Sequence, residues 1–545
     1  MRNFLTTCSG LFLLVTACTG GPGELKDPPI LKVTSPQRSL VQSGAGLINV
    51  AGTVTPNADG IPVKSVDVNG VTATVNPDGS FQAAITVSPG ATLINTTATD
   101  EDGGVATDTR AVQAGELRDA GAMVDSAISA AISTDAFAKI SAAAGPLAKS
   151  LDLGAMLAPM QPMIHKGDEG GEDCLFARVF VDNVSFSDVK VNLVPQQGGI
   201  AFSAEIDGLD VPAHARFAAA CISGSSNMRV TADRVFVSGV LLVSPNGMNG
   251  FTTDLTNKTV QIDNFNLQAS GIPGTILDLI DMNSAIEFVI EKGAELFMEP
   301  LVNQALGALA GPKQLDVMGK PVTVQVAPSD VSFDPTGGLV SLNMAFLIGG
   351  AESAKYIYTD NGIPSMDAGQ GFAIGLADDL ANEMFSEVHA LNLLNLSMPS
   401  EGGTFDATQI AMTMPAMISA DRDGALKVIL GDVNLTFTSA GRPVAKAALN
   451  AAIELQVTPA NNGYGVALAL GKPDFQVNVL DDIPNGTRLL DADLANITEV
   501  CLQAQIANIS KLLVNIPLPA VAGLQMKDLS VGSDDGYVMV KGRFE

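Results

Sequence analysis

Tryptophan is absent, tyrosine occurs four times, and aromatic residues make up only 5% of the 545-residue chain. Charge is scarce as well, 16% of residues, against roughly 25% in an average soluble protein. What charge there is leans one way: 58 acidic side chains stand against 30 basic ones, a formal net charge of −28. That balance argues against nucleic acid or anionic membrane as a charge-driven partner, because phosphate contacts need clustered Lys and Arg. The three histidines, His165, His214 and His389, share no metal-like spacing with cysteines or carboxylates. There is no G-x-S-x-G elbow, H-E-x-x-H pair or G-x-x-x-x-G-K-[ST] loop. The carboxylate pairs Asp378-Asp379, Asp421 with Asp423, and Asp534-Asp535 fall at helix starts or turns, where such groups cap amides. No catalytic residue, metal ligand or cofactor is therefore assigned, and the chain reads as a non-enzyme. What is plentiful is aliphatic: 46% of residues are hydrophobic and 54 are glycine. Such a chain is not disordered, and its length calls for at least two folding units. It holds more aliphatic surface than an ordinary core consumes.

The first residues read as an address. Arg2 precedes the apolar run Leu11-Phe12-Leu13-Leu14-Val15, shorter than the about 20 residues a membrane span needs, so it is expected to be a cleaved signal. The sequence Leu14-Val15-Thr16-Ala17-Cys18 resembles the lipobox of bacterial lipoproteins. That resemblance implies a signal peptide over 1–17, a lipidated Cys18 and a tether over 18–29. Thr19, in place of Asp, implies an anchor in the outer membrane of a bacterial envelope, facing either the periplasm or the surface. No other stretch reads as a transmembrane helix, so the chain is anchored without spanning. Cys8 leaves with the signal; Cys174, Cys221 and Cys501 remain, with no C-x-x-C spacing. An oxidising compartment favours a disulfide, expected between Cys174 and Cys221 within one strand-rich block. Cys501, on an apolar helical stripe, is expected as a buried free thiol.

Residues 30–114 carry strand and turn signals: alternation in Val66-Asp67-Val68, an Asn69-Gly70 turn, Val71 to Val75, then Asn76-Pro77-Asp78-Gly79 before Phe81 to Val87. These predict an all-β sandwich, and the run Thr97-Ala98-Thr99-Asp100 resembles the last strands of bacterial immunoglobulin-like domains. Asp100, Glu101, Asp102 and Asp108 admit two readings, a calcium site or an acidic solvated turn, and the turn is preferred. The module reads as a spacer.

From Glu116 the pattern becomes helices alternating with long strands. Met123 to Ala144 is expected to be helical, ending at Gly145-Pro146. Strands are expected around Val189–Leu193, Ile200–Ile206, Met228–Ala232, Val235–Val243 and Val260–Leu267. A helix over Gly274 to Ala310 carries Glu287, Glu291, Glu295 and Glu299 on one stripe, with a break at Pro300. The second half repeats this order: a helix over Gly375 to Leu394, strands Val433–Phe437 and Leu449–Val457, a helix over Arg488 to Val514, then strands Leu524–Val531 and Tyr537–Phe544. The repetition implies duplication into halves over 116–320 and 321–545.

In this order, Asp182 to Phe186 with Gly208 to Val211, Gly375 to Leu396, and Ile516 to Val540 resemble stretches of the tubular lipid-binding superfamily, in the branch of bactericidal/permeability-increasing and lipopolysaccharide-binding proteins. The resemblance implies an α+β fold: an elongated two-barrel body, each barrel a twisted antiparallel sheet around a long helix, with a central sheet between. It implies acyl chains held in two apolar pockets, and a single disulfide in the first half. Lys190, Arg216 and Arg229 are scattered amid acids, so charge-driven lipopolysaccharide neutralisation is not expected. Helix stripes nominate Val124, Ile128, Ile132, Ile276 and Ile280 as lipid-contacting in the first half, and Leu376, Leu380, Met384, Val388, Leu494 and Ile497 in the second. The expected partner is phospholipid or another acylated lipid, with transfer as a possible extension. The alternative is an adhesion or scaffold lipoprotein whose immunoglobulin-like module binds a partner; a hydrolase of envelope polymers would need a clustered acid pair in a polar cleft.

Overall fold

The computed structural model describes residues 27–150, 152–168, 175–219, 221–247, 250–280, 313–359, 362–399, 405–420, 426–459, 465–480, 483, 506, 516–517 and 526–545. The chain divides into two compact units. One comprises Met1–Pro36, Asn49–Ile85 and Asn95–Asp108; the other comprises Gln37–Ile48, Thr86–Ile94 and Thr109–Glu545.

In the smaller unit Val63–Val68 turns back on Val71–Thr72 through Asn69 and Gly70, both at positive φ (47° and 82°), as a tight hairpin of right-handed twist requires. Asp67 Oδ1 accepts the Gly70 N–H at 2.7 Å. After Ala73 the chain changes partner, and Thr74–Val75 pairs with Ser80–Val87 across the turn at Asp78. Asp100 Oδ1 accepts the N–H groups of Asp102 (3.0 Å) and Gly104 (2.7 Å), which makes it the cap of a turn. Among the described residues no group of His, Cys, Asp and Glu is arranged to hold a metal ion.

The larger unit contains, in chain order, β1 (Val124–Ser133), β2 (Asp188–Gln196), β3 (Gly199–Ala219), β4 (Ile222–Pro245), β5 (Phe251–Asp263), β6 (Lys320–Asp334), β7 (Gly337–Ile348), β8 (Phe372–Ala377), β9 (Leu426–Ser439), β10 (Arg442–Pro459), β11 (Gly465–Leu480), β12 (Met526–Asp534) and β13 (Tyr537–Phe544). Its helices include α1 (Thr134–Ser150), α2 (Gly274–Ile280) and α3 (Asp378–Ala390). The described residues are thus mostly strand with few helices.

A seven-stranded sheet runs Lys313–Val317, β6, β7, β1, β8, β13, β12. Its middle pair, β1 and β8, is antiparallel, with Ile128 opposite Leu376 and Ile132 opposite Phe372. Each of these strands leads directly into a helix (α1 or α3) and then an antiparallel sheet (β2 to β5, or β9 to β11). Each half then returns as a hairpin beside its own leading strand, β6–β7 against β1 and β12–β13 against β8. Strand, helix, sheet and returning hairpin therefore recur in the same order, with the first hairpin, residues 320–348, lying beyond the boundary expected at residue 320.

Three helix boundaries differ from expectation. Val124–Ser133 is a strand, and the helix begins only at Thr134. Val124, Ile128 and Ile132 mimic helical spacing, yet pairing with β7 on one side and β8 on the other overrides it. The Gly145-Pro146 stop lies inside α1. Gly145 permits close packing there, since a methyl group would come 2.5 Å from the Val189 carbonyl oxygen. In the second half Phe372–Ala377 is a strand, so Leu376 precedes α3. Met228–Ala232 and Val235–Val243 belong to one strand of 24 residues.

Within the larger unit Asp432 gathers distant segments. It lies at φ 44° on a bulge of β9. Its carboxylate accepts Arg38 Nη1 at 2.8 Å, the Ser39 N–H at 2.7 Å, the Ala111 N–H at 3.1 Å and Asn450 Nδ2 at 3.2 Å. Asn450 Nδ2 and Arg38 Nη1 also reach the Thr109 carbonyl.

Candidate functional site

Strand alternation sorts the first-half sheet into two faces. Opposed rows such as Val191–Ala204–Val237–Val260 and Val189–Ile206–Val235–Ile262 make one face aliphatic. The other face carries Lys190, Glu205, Asp207, Asp210, Arg229 and Arg234. The alternation changes phase at Gly208 (φ 62°), after which Leu209, Val211, Ala213 and Ala215 are the buried members of β3. The aliphatic face therefore continues into a second cluster, where Ala213, Ala215, Phe217 and Met228 meet Ile272 and Ile276.

The second half repeats the sorting. Rows Leu435–Ala447–Val479, Val433–Leu449–Val477 and Leu430–Ala451–Phe475 run across β9, β10 and β11. The β9 and β10 members are buried, whereas on β11 Phe475 is 39% and Val479 48% exposed. One continuous apolar face thus passes from closed to accessible at its margin. Three buried alanines, Ala445, Ala447 and Ala451, put little side-chain bulk on this face.

The nominated residues fall into separate clusters. Ile128, Leu376 and Val388 are buried in the large shared core, with Ile132, Leu380 and Met384 packed against it. Val124 belongs instead to a cluster with Tyr356, Tyr358, Tyr537 and Met539, because the register shifts between Val124 and Ile128 and Ser126 adopts φ 48°. Ile276 lies in the cluster of α2, and Ile280 ends that helix. Leu494 and Ile497, the helix over Arg488 to Val514 with Cys501 (residue 506 excepted), the segment from 281 to 312 with its glutamate stripe and Pro300, and Cys18, Cys174, Asp421 and Asp423 lie outside the described residues. The strand-side contributors were not nominated; their period-two alternation is the signal that finds them.

Helix α3 carries the most unusual electrostatics. Asp379, Glu383 and Glu387, at every fourth position, are buried, the two glutamates at 0% exposure. Each accepts backbone N–H groups: Asp379 from Thr359 (3.1 Å), Glu383 from Gly121 (2.8 Å) and Phe346 (3.3 Å), and Glu387 from Ile348. Asp378 Oδ2 similarly accepts the Ala420 N–H at 3.2 Å. Burial pushes the Glu383 carboxyl up to about 8 against the pull of its two N–H bonds, and Glu387 up to about 7. The Asp378-Asp379 pair makes no cap at the start of its own helix, where one had been expected, and binds backbone amides of other segments instead; the buried glutamates after it were not anticipated.

The basic residues on the outer face are answered by acids. Arg229 forms two bonds to Asp210 (2.7 and 2.6 Å), which hold that carboxyl below its ordinary range. Lys190 meets Glu205 at 2.9 Å and Arg234 meets Asp207 at 3.2 Å. Arg216, by contrast, is opposite Arg178 in register. His214 stacks on Phe180 at 4.9 Å with Nδ1 2.7 Å from Asp182, and His389 Nε2 lies 3.1 Å from the Met412 carbonyl.

Residues 29–115 match the family model described as glucodextranase, domain B. No curated protein sequence matches the chain. Among solved structures, the chain is similar to lipopolysaccharide binding protein at 14% identity, covering 77% of this chain and 99% of that one, with a TM-score of 0.36. It is similar to P47 of Clostridium botulinum E1 at 9% identity, over 78% of this chain and 100% of that one, with a TM-score of 0.27. A protocadherin GammaB4 extracellular domain matches at 9% identity and a TM-score of 0.12, over 84% of this chain and 68% of that one.

Proposed function

We propose that this protein binds acylated lipid, phospholipid among the candidates, on the aliphatic faces of its two halves and has no catalytic role. The observation that carries this reading is the accessible margin Phe475–Val477–Val479, continuous with the buried rows of β9 and β10. Those rows offer no hydrogen-bonding side chain, so an occupant with polar groups pointing inward would leave them unsatisfied. A hydrocarbon chain has no such requirement. Each methylene buried there is worth about 0.8 kcal/mol, so a chain of about 16 carbons has on the order of 10 kcal/mol available before ordering costs.

The address elements complete the proposal: signal peptide 1–17, acylation of Cys18, and residence at the outer membrane of a bacterial envelope, with transfer between membranes as the extended role. A Cys174–Cys221 bridge is part of it, supported by the bonded state of Cys221 and by the register that sets Phe176 opposite Ala218.

The test is organic extraction and mass spectrometry of purified Cys18→Ser protein. Co-purifying acyl lipid in near-stoichiometric amount is expected, and Ala451→Trp should reduce it. Lipid-free protein that also fails to take up labelled phospholipid from vesicles would refute the reading and favour the adhesion role.

A further inference from the structure

We propose that the two halves are unequal as lipid sites: the second half exchanges an acyl lipid with its surroundings, and the first covers its apolar face with its own side chains. This inequality narrows the lipid reading above and rests on it. Among the described residues β5 and β11 both stand at the margin of their sheets, each paired on one side only, except where Gly465 and Val466 at the start of β11 meet Ile516–Pro517. Their inward-facing residues nevertheless differ in exposure. On β5, Phe251 is 1% and Leu255 2% exposed, and Val260 and Ile262 are half-buried. On β11, Phe475 and Val479 keep more than a third of their surface in water. Position at a margin therefore does not account for the exposed pair.

Side-chain bulk separates the halves in the same sense. On the aliphatic face of the first sheet Leu193 stands opposite Phe202, and Leu241 lies between Ile200 and Leu255; all five are buried. In the second sheet the middle strand of the rows, β10, places Ala445, Ala447 and Ala451 opposite Phe437, Leu435 and Leu430. Protein interiors are close-packed, so an acyl chain entering the first half would have to displace side chains such as Phe202 or Phe251. It would forfeit apolar burial about as fast as it gained it. Burial favours binding only in proportion to the apolar area newly removed from water. On the second half that area already exists, because Phe475 and Val479 are wet in the protein alone. Single exposed aliphatics are ordinary on a soluble surface. These two differ in flanking Val477 on one face of one strand, in register with buried Ala451 and Ala447.

The chain has no tryptophan, so one introduced indole reports on a single position. Phe475→Trp and Ile262→Trp, each in the Cys18→Ser protein, are incubated with vesicles of phosphatidylcholine brominated along one acyl chain, which quenches indole emission on contact, and are then separated from the vesicles. Phe475→Trp should lose most of its emission and Ile262→Trp almost none. Native mass spectrometry of Cys18→Ser protein loaded with excess phosphatidylcholine does not depend on how the reporters fold, and should show one bound lipid per chain. Equal loss at both reporters, loss at Ile262→Trp alone, or two lipids per chain overturns the inequality and leaves lipid binding standing. One bound lipid without loss at Phe475→Trp overturns the assignment to the second half. No loss at either reporter together with no bound lipid sinks the lipid reading and the inequality with it.

Discussion

Replacing Asp432 with alanine should loosen the larger unit out of proportion to one side chain. Asp432 is 2% exposed and its carboxylate accepts four hydrogen bonds, two from backbone N–H groups, of which that of Ala111 is buried. Breaking one side of a buried ion pair costs about 3–5 kcal/mol, because the remaining charge is left without a partner. Stranding a buried N–H adds about 1–3 kcal/mol, although the terms overlap and do not sum. A loss of about 4 kcal/mol is therefore expected. Asp432→Asn should cost about half of that, since asparagine tolerates the positive φ and keeps one acceptor oxygen while losing the charge. A chain of two units need not unfold in one step, so the readout is native-state hydrogen exchange of peptides covering residues 37–42 and 109–114. Both should lose protection together in the alanine variant. Alanine costing under about 1 kcal/mol, or protection lost in only one segment, would refute the node.

Stability should also depend on pH in an unusual direction. Glu383 and Glu387 titrate higher in the fold (about 8 and about 7) than the ordinary 4.5, so their contribution is fully present below 4.5 and is lost as pH rises through 7 to 8. Thermal melting should therefore weaken from slightly acid to slightly alkaline buffer, and Glu383→Gln should remove most of that slope. Gly145→Ala is expected to destabilise by at least about 1 kcal/mol in urea titration, although alanine normally favours a helix by about that amount, because the new methyl meets the Val189 carbonyl oxygen at 2.5 Å. Val479→Asp should cut phospholipid uptake at least about 10-fold while melting within a few degrees of wild type, since the site is already half accessible. Equal uptake by that variant would show that the β11 margin is not used.

Strands were legible where one face is buried and the other wet. Val189, Val191 and Leu193 alternate with Lys190 and Asn192, and period two leaves no other reading. β1 was misread for a physical reason: from Ile128 on, its residues are small or β-branched, are covered on both flanks by β7 and β8, and show no polar alternation. Gly145-Pro146 was read as a stop, yet the small residue is what lets α1 approach β2, a demand set by a partner strand more than forty residues away. Local composition cannot announce such a requirement. The carboxylates of α3 were visible as letters but not as buried groups, because whether an acid at every fourth position faces water or a strand end depends on the sheet it packs against.

The two faces of the second-half sheet show how one sequence period carries two kinds of chemistry. On one face of β10, Asn450 is buried among amide and carboxylate partners from Thr109 and Asp432. On the other, Leu449 and Ala451 abut only hydrocarbon. A slip of one residue would place asparagine in the apolar row and leucine in the hydrogen-bonded seam, unsatisfying both at once. The Asp432 network therefore does more than hold segments together: it fixes the register that keeps the opposite face free of polar groups. On this reasoning, weakening the seam should impair lipid uptake even though no residue of the seam touches the apolar face. Asp432→Ala protein that is still folded but takes up less phospholipid than Asp432→Asn would bear that coupling out, and equal uptake by the two would break it.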